Sequence, residues 1–242
     1  MKIGHLHPST QTLRELIGYF EELGFYVFEG PEVDDEWHNF DALNVPADHP
    51  SRDEQDTFYL RDGRLLRTHT SNNQIRAGKT IVPPIKIISP GKCFRNEATD
   101  ETHETTFFQI DGLYIDKNVK VGHLFWALEM ILKKLYGEGV EYRMRPHYYP
   151  FVEPGFDVDI KRGKKLASSG AGGLASSGAE RWLEVLGSGM VHPIVLKNMG
   201  LDPNEYSGFA FGLGPDRMMM QKYKIKDIRQ LWQSDLRFLR QF

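Results

Sequence analysis

Two stretches of the chain place apolar residues three or four positions apart, which is the spacing of one helix face. In the first stretch these residues are Leu13, Leu16, Ile17, Phe20 and Leu23. Ser9 or Thr10 can cap its start, and Gly24 follows as a natural stop. The second stretch, Val121–Tyr136, stops at Gly137. Each pattern predicts an amphipathic helix that buries one side.

Short runs of β-branched and aromatic residues, bounded by Gly, Pro or polar residues, predict strands. The predicted strands cover residues 25–28, 85–89, 92–95, 107–115, 140–145, 156–160 and 181–186. Residues 32–67 are predicted to be a long polar loop with one short strand at 57–60, and helical segments are predicted near Val195 and over 216–222. Because strands follow one another with few helices between them, the predicted fold class is α+β, a mostly antiparallel sheet flanked by helices.

Residues 166–179 differ in composition from the rest of the chain. The hexamer Leu-Ala-Ser-Ser-Gly-Ala occurs there twice, joined by two glycines. Such a segment cannot bury a core, so we expect residues 161–180 to form a flexible Gly/Ser/Ala-rich loop within a single domain spanning residues 1–242. A natural loop and an engineered linker fit this composition equally well.

The composition limits the classes of function. Lys and Arg total 30 against 33 Asp and Glu, a net charge of -3, so the chain lacks the basic surface of a protein that holds nucleic acid by charge alone. No apolar run is long enough to span a bilayer or to serve as a secretory signal. The single cysteine, Cys93, excludes an internal disulfide. We therefore expect a cytoplasmic protein that does not bind membranes.

Candidate chemistry appears first in residues 92–112. Arg95 leaves one predicted strand, a polar loop carries His103, and Phe107 begins the returning strand. A cation, an imidazole and an aromatic ring in one hairpin are suited to holding a polyphosphate and stacking on a base. Taken alone, the Phe-Arg-x-Glu pattern favours a surface arginine paired with Glu97.

A second candidate is the segment Gly-Phe-Ala-Phe-Gly-Leu-Gly-Pro-Asp-Arg at residues 208–217. Its glycines leave room for a ligand near the backbone, Pro215 suits the first turn of a helix, and Arg217 projects from that turn. Alone, such a segment is no more than a turn between two elements.

Together these two segments resemble motifs 2 and 3 of class II aminoacyl-tRNA synthetases, and Gly-Pro-Glu-Val at residues 30–33 resembles motif 1. The resemblance narrows to one family, the α subunits of bacterial phenylalanyl-tRNA synthetase, and runs from about Gly4 to Phe242 outside the 166–179 loop. Further segments that carry it are residues 39–44, 49–50, 56–58, 67–71, 151–155, 182–187 and 189–193.

The resemblance implies that the chain activates L-phenylalanine with ATP, giving phenylalanyl adenylate and pyrophosphate for attachment to tRNA(Phe) in the complete synthetase. Arg95 and Arg217 would be the catalytic residues, because guanidinium groups align the reactants and stabilise the charge that builds up on phosphorus. No general base is needed, since the attacking carboxylate is already ionised. The residues implied to bind ATP are Arg95, Glu97, His103, Phe107 and Arg217.

A phenylalanine site is also implied, with polar groups for the ammonium and an apolar pocket for the ring. The implied residues are His69, Ser71, Gln109 and Asp111 for the ammonium and Tyr149, Phe151, Val152 and Ala210 for the ring. An apolar pocket rejects an added hydroxyl by only about a hundredfold, so tyrosine should be a poor but real competitor.

Metal and partners follow from the same resemblance. Glu153 matches a magnesium ligand position that the family shares with its β subunit, and Mg²⁺ would also bridge the phosphates of ATP. The implied macromolecular partners are the β subunit and tRNA(Phe), with a homodimer through the motif 1 region as the alternative. The match begins near the first residue, so the N-terminal tRNA-binding helical arm of the family is expected to be absent.

Other functions stay open on the sequence alone. The chain could be a catalytically reduced or engineered class II synthetase-like module, a regulatory relative, or a paralogue that activates another amino acid. A phosphorylated amino acid would call for basic residues where Phe151, Val152 and Ala210 stand. The chain also departs from the commoner Gly-x-Glu-Arg pattern of motif 3 at Asp216.

Overall fold

The computed structural model describes residues 4–45, 47–48, 57–101, 103–161 and 182–242. The strands in these residues are β1 (Tyr26–Val27), β2 (Val33–Asp34), β3 (Leu65–Leu66), β4 (Ile85–Phe94), β5 (Thr106–Asp116), β6 (Tyr142–Pro146), β7 (Val152–Lys161), β8 (Trp182–Val191) and β9 (Ser207–Leu213). The helices are α1 (Pro8–Glu22), α2 (Glu36–Asn39), α3 (Asn72–Thr80), α4 (Val121–Tyr136), α5 (Pro193–Asn198), α6 (Pro215–Lys222) and α7 (Leu236–Leu239), with 3-10 turns at Asp41–Leu43 and Ile228–Leu231.

Seven strands form one sheet in the order β1-β4-β5-β9-β8-β7-β6. Every neighbouring pair is antiparallel except β1 with β4, which is parallel. Strands β2 and β3 pair separately as a small antiparallel ribbon. The predicted fold class, α+β with a mostly antiparallel sheet, is confirmed.

Strand β4 corrects one prediction. The sequence suggests two strands separated by Pro90-Gly91, but the chain stays extended from Ile85 to Phe94 and pairs with β5 throughout. Pro90 has no N–H to donate, which a strand tolerates where one side has no neighbour. Strand β1 pairs only with Ile87 and Ile88, so beyond Ile88 no strand of the described residues pairs with the second side of β4. The long hairpin of β4 and β5 is confirmed.

Other boundaries also differ from the predictions. Helix α1 begins at Pro8, and its N-cap is His7, whose side chain accepts a hydrogen bond from the Ser9 N–H. The predicted loop 32–67 contains helix α2 and strands β2 and β3, while only Tyr59 within 57–60 forms a bridge. The predicted strand 181–186 is observed as β8, which is longer. The predicted loop 161–180 begins too early, since Lys161 is the last residue of β7, and the rest of that loop lies outside the described residues.

Alternate residues of the sheet serve two separate cores. Phe209 and Phe211 of β9 belong to a cluster with α1 and α4, where the ring of Phe211 stacks on that of Phe20 at 5.6 Å. Ala210, between them, belongs to a second cluster with α3 and α5, represented by Ile75 and Leu196. The period-two alternation of a strand therefore gives the sheet one face packed on α1 and α4 and another that carries Ala210.

None of the helices in the described ranges is long and apolar enough to cross a membrane.

Candidate active site

Two cavities adjoin at β8 and β9. The larger has a volume of about 370 Å³ and the smaller about 210 Å³. Four residues line both of them, namely Arg95, Glu97, Gly187 and Gly212. Because these residues are shared, the cavities are two compartments of one site.

The structure groups the sequence-predicted site residues by compartment, with Arg95 and Glu97 lining both. The larger cavity is lined by His69, Ser71, Gln109, Asp111, Tyr149, Phe151, Val152 and Ala210, which are all eight residues predicted to bind phenylalanine. The smaller is lined by Arg95, Glu97, His103, Phe107 and Arg217, which are all five predicted to bind ATP. Glu153 lies outside both linings, with its side chain 78% exposed and its carboxylate 3.5 Å from Nε2 of His192.

A buried carboxylate marks the polar end of the larger cavity. The Oγ of Ser71 donates to Asp111 Oδ2 at 2.7 Å, and Nε2 of Gln109 donates to Oδ1 at 2.8 Å. Burial raises the pKa of Asp111, although both hydrogen bonds act in the opposite direction. Gly212 of β9 pairs with Asp111 of β5, and a Cβ at that glycine would lie 2.5 Å from Oδ1 of Asp111. The glycine therefore keeps the carboxylate unobstructed.

His69 lies at the same polar end and is uncharged at neutral pH. Burial lowers the pKa of its imidazole to about 3, and the positive charge of Arg95 acts in the same direction. Its Nδ1 is buried and has no hydrogen-bond partner among the described residues. A ring nitrogen in this condition is suited to a polar group of a ligand, since buried polar atoms are normally paired.

The opposite end of the larger cavity is aromatic and apolar. The rings of Tyr149 and Phe151 stack with 5.6 Å between centroids and an interplanar angle of 25°. Val152 and Ala210 are buried beside them. Phe40 also lines this cavity, which its place in the sequence did not reveal. A planar hydrocarbon ring fits such walls.

Arg95 holds the junction of the two compartments. Its backbone N–H donates to the Thr105 carbonyl across the hairpin, and its Nε donates to the Thr68 carbonyl at 3.2 Å. The guanidinium carbon lies 4.8 Å from the ring centroid of Phe107, and Nη1 lies 3.9 Å from Oε1 of Glu97. The side chain is thus anchored at its base, with its cationic head facing both cavities.

Acidic residues that sequence reasoning missed also line the smaller cavity. Glu104 lies on the hairpin loop, and Glu184 is on β8, far from the hairpin in sequence. His103 is held beside them, because its N–H donates to Asp100 Oδ1 at 2.8 Å and its Nδ1 lies 3.0 Å from that carboxylate. The compartment therefore combines cations, an aromatic ring and carboxylates.

Asp216 ties helix α6 to the start of β5. Its Oδ2 accepts a hydrogen bond from the Phe108 N–H at 2.8 Å, while its buried Oδ1 has no partner among the described residues. Burial raises the pKa of this carboxyl to about 7. The residue that departs from the commoner motif 3 pattern is therefore partly protonated near neutral pH.

This raised pKa predicts a falling stability with pH. Between pH 4 and 7 the unfolded chain releases the Asp216 proton while the folded chain keeps it, so the free energy of unfolding should decrease by about 4 kcal/mol at most. Replacing Asp216 by Asn should remove that decrease, as measured by urea unfolding at intervals of half a pH unit. Asp235→Asn is the matched control, because the pKa of Asp235 is lowered to about 2, so the carboxylate is ionised in both states above about pH 4 and its loss should leave the slope between pH 4 and 7 unchanged. An unchanged slope in Asp216→Asn would contradict the assignment.

Comparison of the sequence with known proteins shows the family to which the chain belongs. Residues 1–242 match the family model of tRNA synthetases class II core domain (F). The chain is 48% identical over 242 residues to the phenylalanine–tRNA ligase alpha subunit of Caldicellulosiruptor saccharolyticus, covering all of this chain and 70% of that protein. It is 50% identical over 240 residues to the subunit of the same name from Clostridium perfringens strain SM101, covering 99% of this chain and 70% of the relative.

A solved structure agrees on the fold. Pyrrolysyl-tRNA synthetase from Desulfitobacterium hafniense superposes with a TM-score of 0.69 at 16% identity, covering 97% of this chain and 76% of that one. The predicted resemblance is confirmed: the chain belongs to the family of phenylalanine–tRNA ligase alpha subunits, with the core domain of class II tRNA synthetases.

Proposed function

We propose that this chain activates L-phenylalanine with ATP, forming phenylalanyl adenylate and pyrophosphate, and that the adenylate serves to charge tRNA(Phe). One observation carries the proposal: Arg95 lines two adjoining cavities of different chemistry. The larger joins buried polar acceptors to an aromatic wall, and the smaller joins cations to an aromatic ring. The names of the relatives support the same reaction.

The larger cavity suits the three parts of phenylalanine. The ammonium of phenylalanine needs acceptors, which Asp111 and the neutral His69 supply. Binding of this cation would favour the ionised form of Asp111. The ring of phenylalanine fits against Tyr149 and Phe151. Its carboxylate would then face Arg95 at the junction, where the nucleotide begins.

The smaller cavity suits ATP. Phe107 offers a ring face for stacking, and Arg217 and His103 offer partners for the phosphates. Arg95 would contact the α-phosphate and the amino-acid carboxylate together, which aligns the attack and stabilises charge at phosphorus. The attacking carboxylate needs no general base, so the proposed catalysis is orientation plus electrostatics.

Magnesium fits this compartment. Glu97, Glu104 and Glu184 line it, and Mg²⁺ usually takes one or two carboxylates together with water and substrate phosphates. When bound, the ion would neutralise charge on the leaving pyrophosphate.

Glu153 would belong to a different metal centre. Within the described residues the one cluster of three potential ligands is Asp34, Asp35 and His38, and Arg76 already binds both oxygens of Asp34. No such cluster of the described residues contains Glu153, and we propose that the β subunit supplies the further ligands of its metal.

The subunit name of the relatives supports a β subunit as partner, with a homodimer through the motif 1 region as the alternative. Tyr26 of β1 is 75% exposed on the edge strand that precedes that motif, so this edge is suited to contact a second chain. We propose that the assembly charges tRNA(Phe) in the cytoplasm.

The test is ATP/pyrophosphate exchange on the purified chain, with phenylalanine, with tyrosine and without amino acid. Phenylalanine-dependent exchange, alone or after addition of the β subunit, is the expected result. Silence from a folded chain even with β present would contradict the proposal and favour a catalytically reduced relative. Exchange driven only by another amino acid would favour a paralogue.

A further inference from the structure

A carboxylate behind the wall of the larger cavity holds the hydroxyl of Tyr149. The Tyr149 Oη donates to Oδ1 of Asp157 at 2.8 Å. The other oxygen of Asp157 lies 3.1 Å from Nδ1 of His147 and 3.3 Å from Nη2 of Arg145. Asp157 is only 3% exposed and does not line the cavity, whereas Tyr149 and His147 both do, so these two side chains link it to the ligand space.

The sheet places this hydrogen bond on the floor of the site. Asp157 pairs with Gly187, Gly187 pairs with Gly212, and Gly212 pairs with Asp111, so the four residues form one row across β7, β8, β9 and β5. Directly paired residues face the same side of a sheet. Two glycines therefore lie between two buried carboxylates, one at the polar end of the cavity and the other behind its aromatic wall.

Gly187 leaves the space that the hydroxyl occupies. A Cβ at this position would lie 2.6 Å from Tyr149 Oη and 2.9 Å from the carbon that bears it. The ring of Tyr149 is thus fixed from two sides, by its stacking on Phe151 and by the position of its hydroxyl over Gly187. Burial, and then the hydrogen bond to Asp157, raise the pKa of Tyr149, so the hydroxyl keeps its proton and remains a donor.

A hydroxyl in the wall would matter for selectivity. Tyrosine differs from phenylalanine by one hydroxyl, which an apolar pocket disfavours chiefly because the group loses its hydrogen bonds to water. If the proton of Tyr149 Oη pointed into the cavity, it would offer the oxygen of the tyrosine hydroxyl a hydrogen-bond donor. In the structure that proton is directed to Asp157 instead.

We propose that Asp157 is a positioning residue for substrate selectivity: by accepting the only proton of Tyr149 Oη, it keeps that hydroxyl from donating a hydrogen bond to the hydroxyl of tyrosine. The inference rests on the proposed function, since it assumes that phenylalanine occupies the larger cavity. It assigns selectivity to a residue that need not touch the amino acid.

The decisive variant is Asp157→Asn, which keeps the size of the side chain. The amide can donate to Tyr149 Oη, which frees the hydroxyl proton to turn toward the cavity. We expect the ratio of kcat/KM for phenylalanine over tyrosine to fall about tenfold, the effect of one ordinary hydrogen bond, chiefly through tyrosine. The KM for ATP should not change.

A second background, Tyr149→Phe, tests whether the effect of Asp157→Asn depends on the Tyr149 hydroxyl or on a general structural change. In a Tyr149→Phe background the hydroxyl is absent, so adding Asp157→Asn should leave the ratio unchanged. Asp159→Asn is the matched control, because Asp159 is equally buried on β7 but binds Arg143 and Arg145. This control should leave the ratio at the unsubstituted value.

The proposal is overturned if Asp157→Asn leaves the ratio unchanged. It is also overturned if the substitution lowers the ratio equally in both backgrounds, because the effect would then pass through Arg145 or His147 and not through the Tyr149 hydroxyl. Calorimetric titration of each variant with phenylalanine and with tyrosine gives the same ratio from binding. Absence of phenylalanine-dependent exchange in the unsubstituted chain would count against the proposed function, while the binding ratios would still decide the role of Asp157.

Discussion

Replacing Arg95 by Ala should lower phenylalanine-dependent exchange by about a thousandfold or more, with little change in the melting temperature. The side chain lines both compartments, so its loss would remove both the alignment of the two reactants and a positive charge beside phosphorus. The measurement is exchange at saturating substrates, with thermal unfolding followed by circular dichroism on the same sample.

Two further variants sharpen this prediction. Arg95→Lys keeps the charge but loses the planar fork, so we expect it to recover only part of the activity. Arg64→Ala is the matched surface control, since Arg64 pairs with Asp62 in an exposed turn and should be dispensable. Activity in Arg95→Ala close to that of the control would disprove the role of Arg95 at the junction.

Replacing Asp111 by Asn should raise the KM for phenylalanine by roughly 30-fold or more, because truncating one partner of a buried charge pair typically costs 2–5 kcal/mol. The amide keeps the shape that Ser71 and Gln109 contact, but it removes the negative charge facing the ammonium. Steady-state exchange at varied phenylalanine would measure the change.

The KM for ATP provides the internal control, since Asp111 does not line the smaller cavity and should leave nucleotide binding unchanged. Asp116→Asn provides the external control, because Asp116 is the last residue of the same strand and accepts a hydrogen bond from the Tyr114 hydroxyl. If Asp111→Asn altered both KM values alike, the residue would have a general structural role instead.

The elements that could be predicted are those whose buried side is apolar. Helix α4 and strand β5 have strong periodic patterns, and both appear near their predicted bounds. Helix α3 was missed because its buried positions include Asn72, Asn73 and Gln74, so the polar–apolar pattern does not mark its inner face. Pro90 misled the prediction of β4, since tolerance of a proline depends on which neighbouring strand is present.

The site was predicted through family resemblance, residue by residue, and its grouping into two compartments required the fold. Phe40 and Glu184 line the cavities only because the chain brings the segment after α2 and strand β8 beside the hairpin. Both positions lie in segments that carry the family resemblance, but the resemblance assigned neither of them a role in the site. The two partners of Asp157 at the cavity wall, Tyr149 and Gly187, are likewise brought together by strand register.

Strand β9 serves folding and recognition at adjacent positions. The side chains of Phe209 and Phe211 pack in the core with α1 and α4, although Phe211 also touches the larger cavity, whereas Ala210, a member of the second cluster, and Gly212 line that cavity from the other face of the sheet. Substitutions in the two sets therefore act on different properties of the protein. Substitutions at alternate residues of β9 can therefore change which amino acids the cavity binds, while the core that Phe209 forms with α1 and α4 is unchanged.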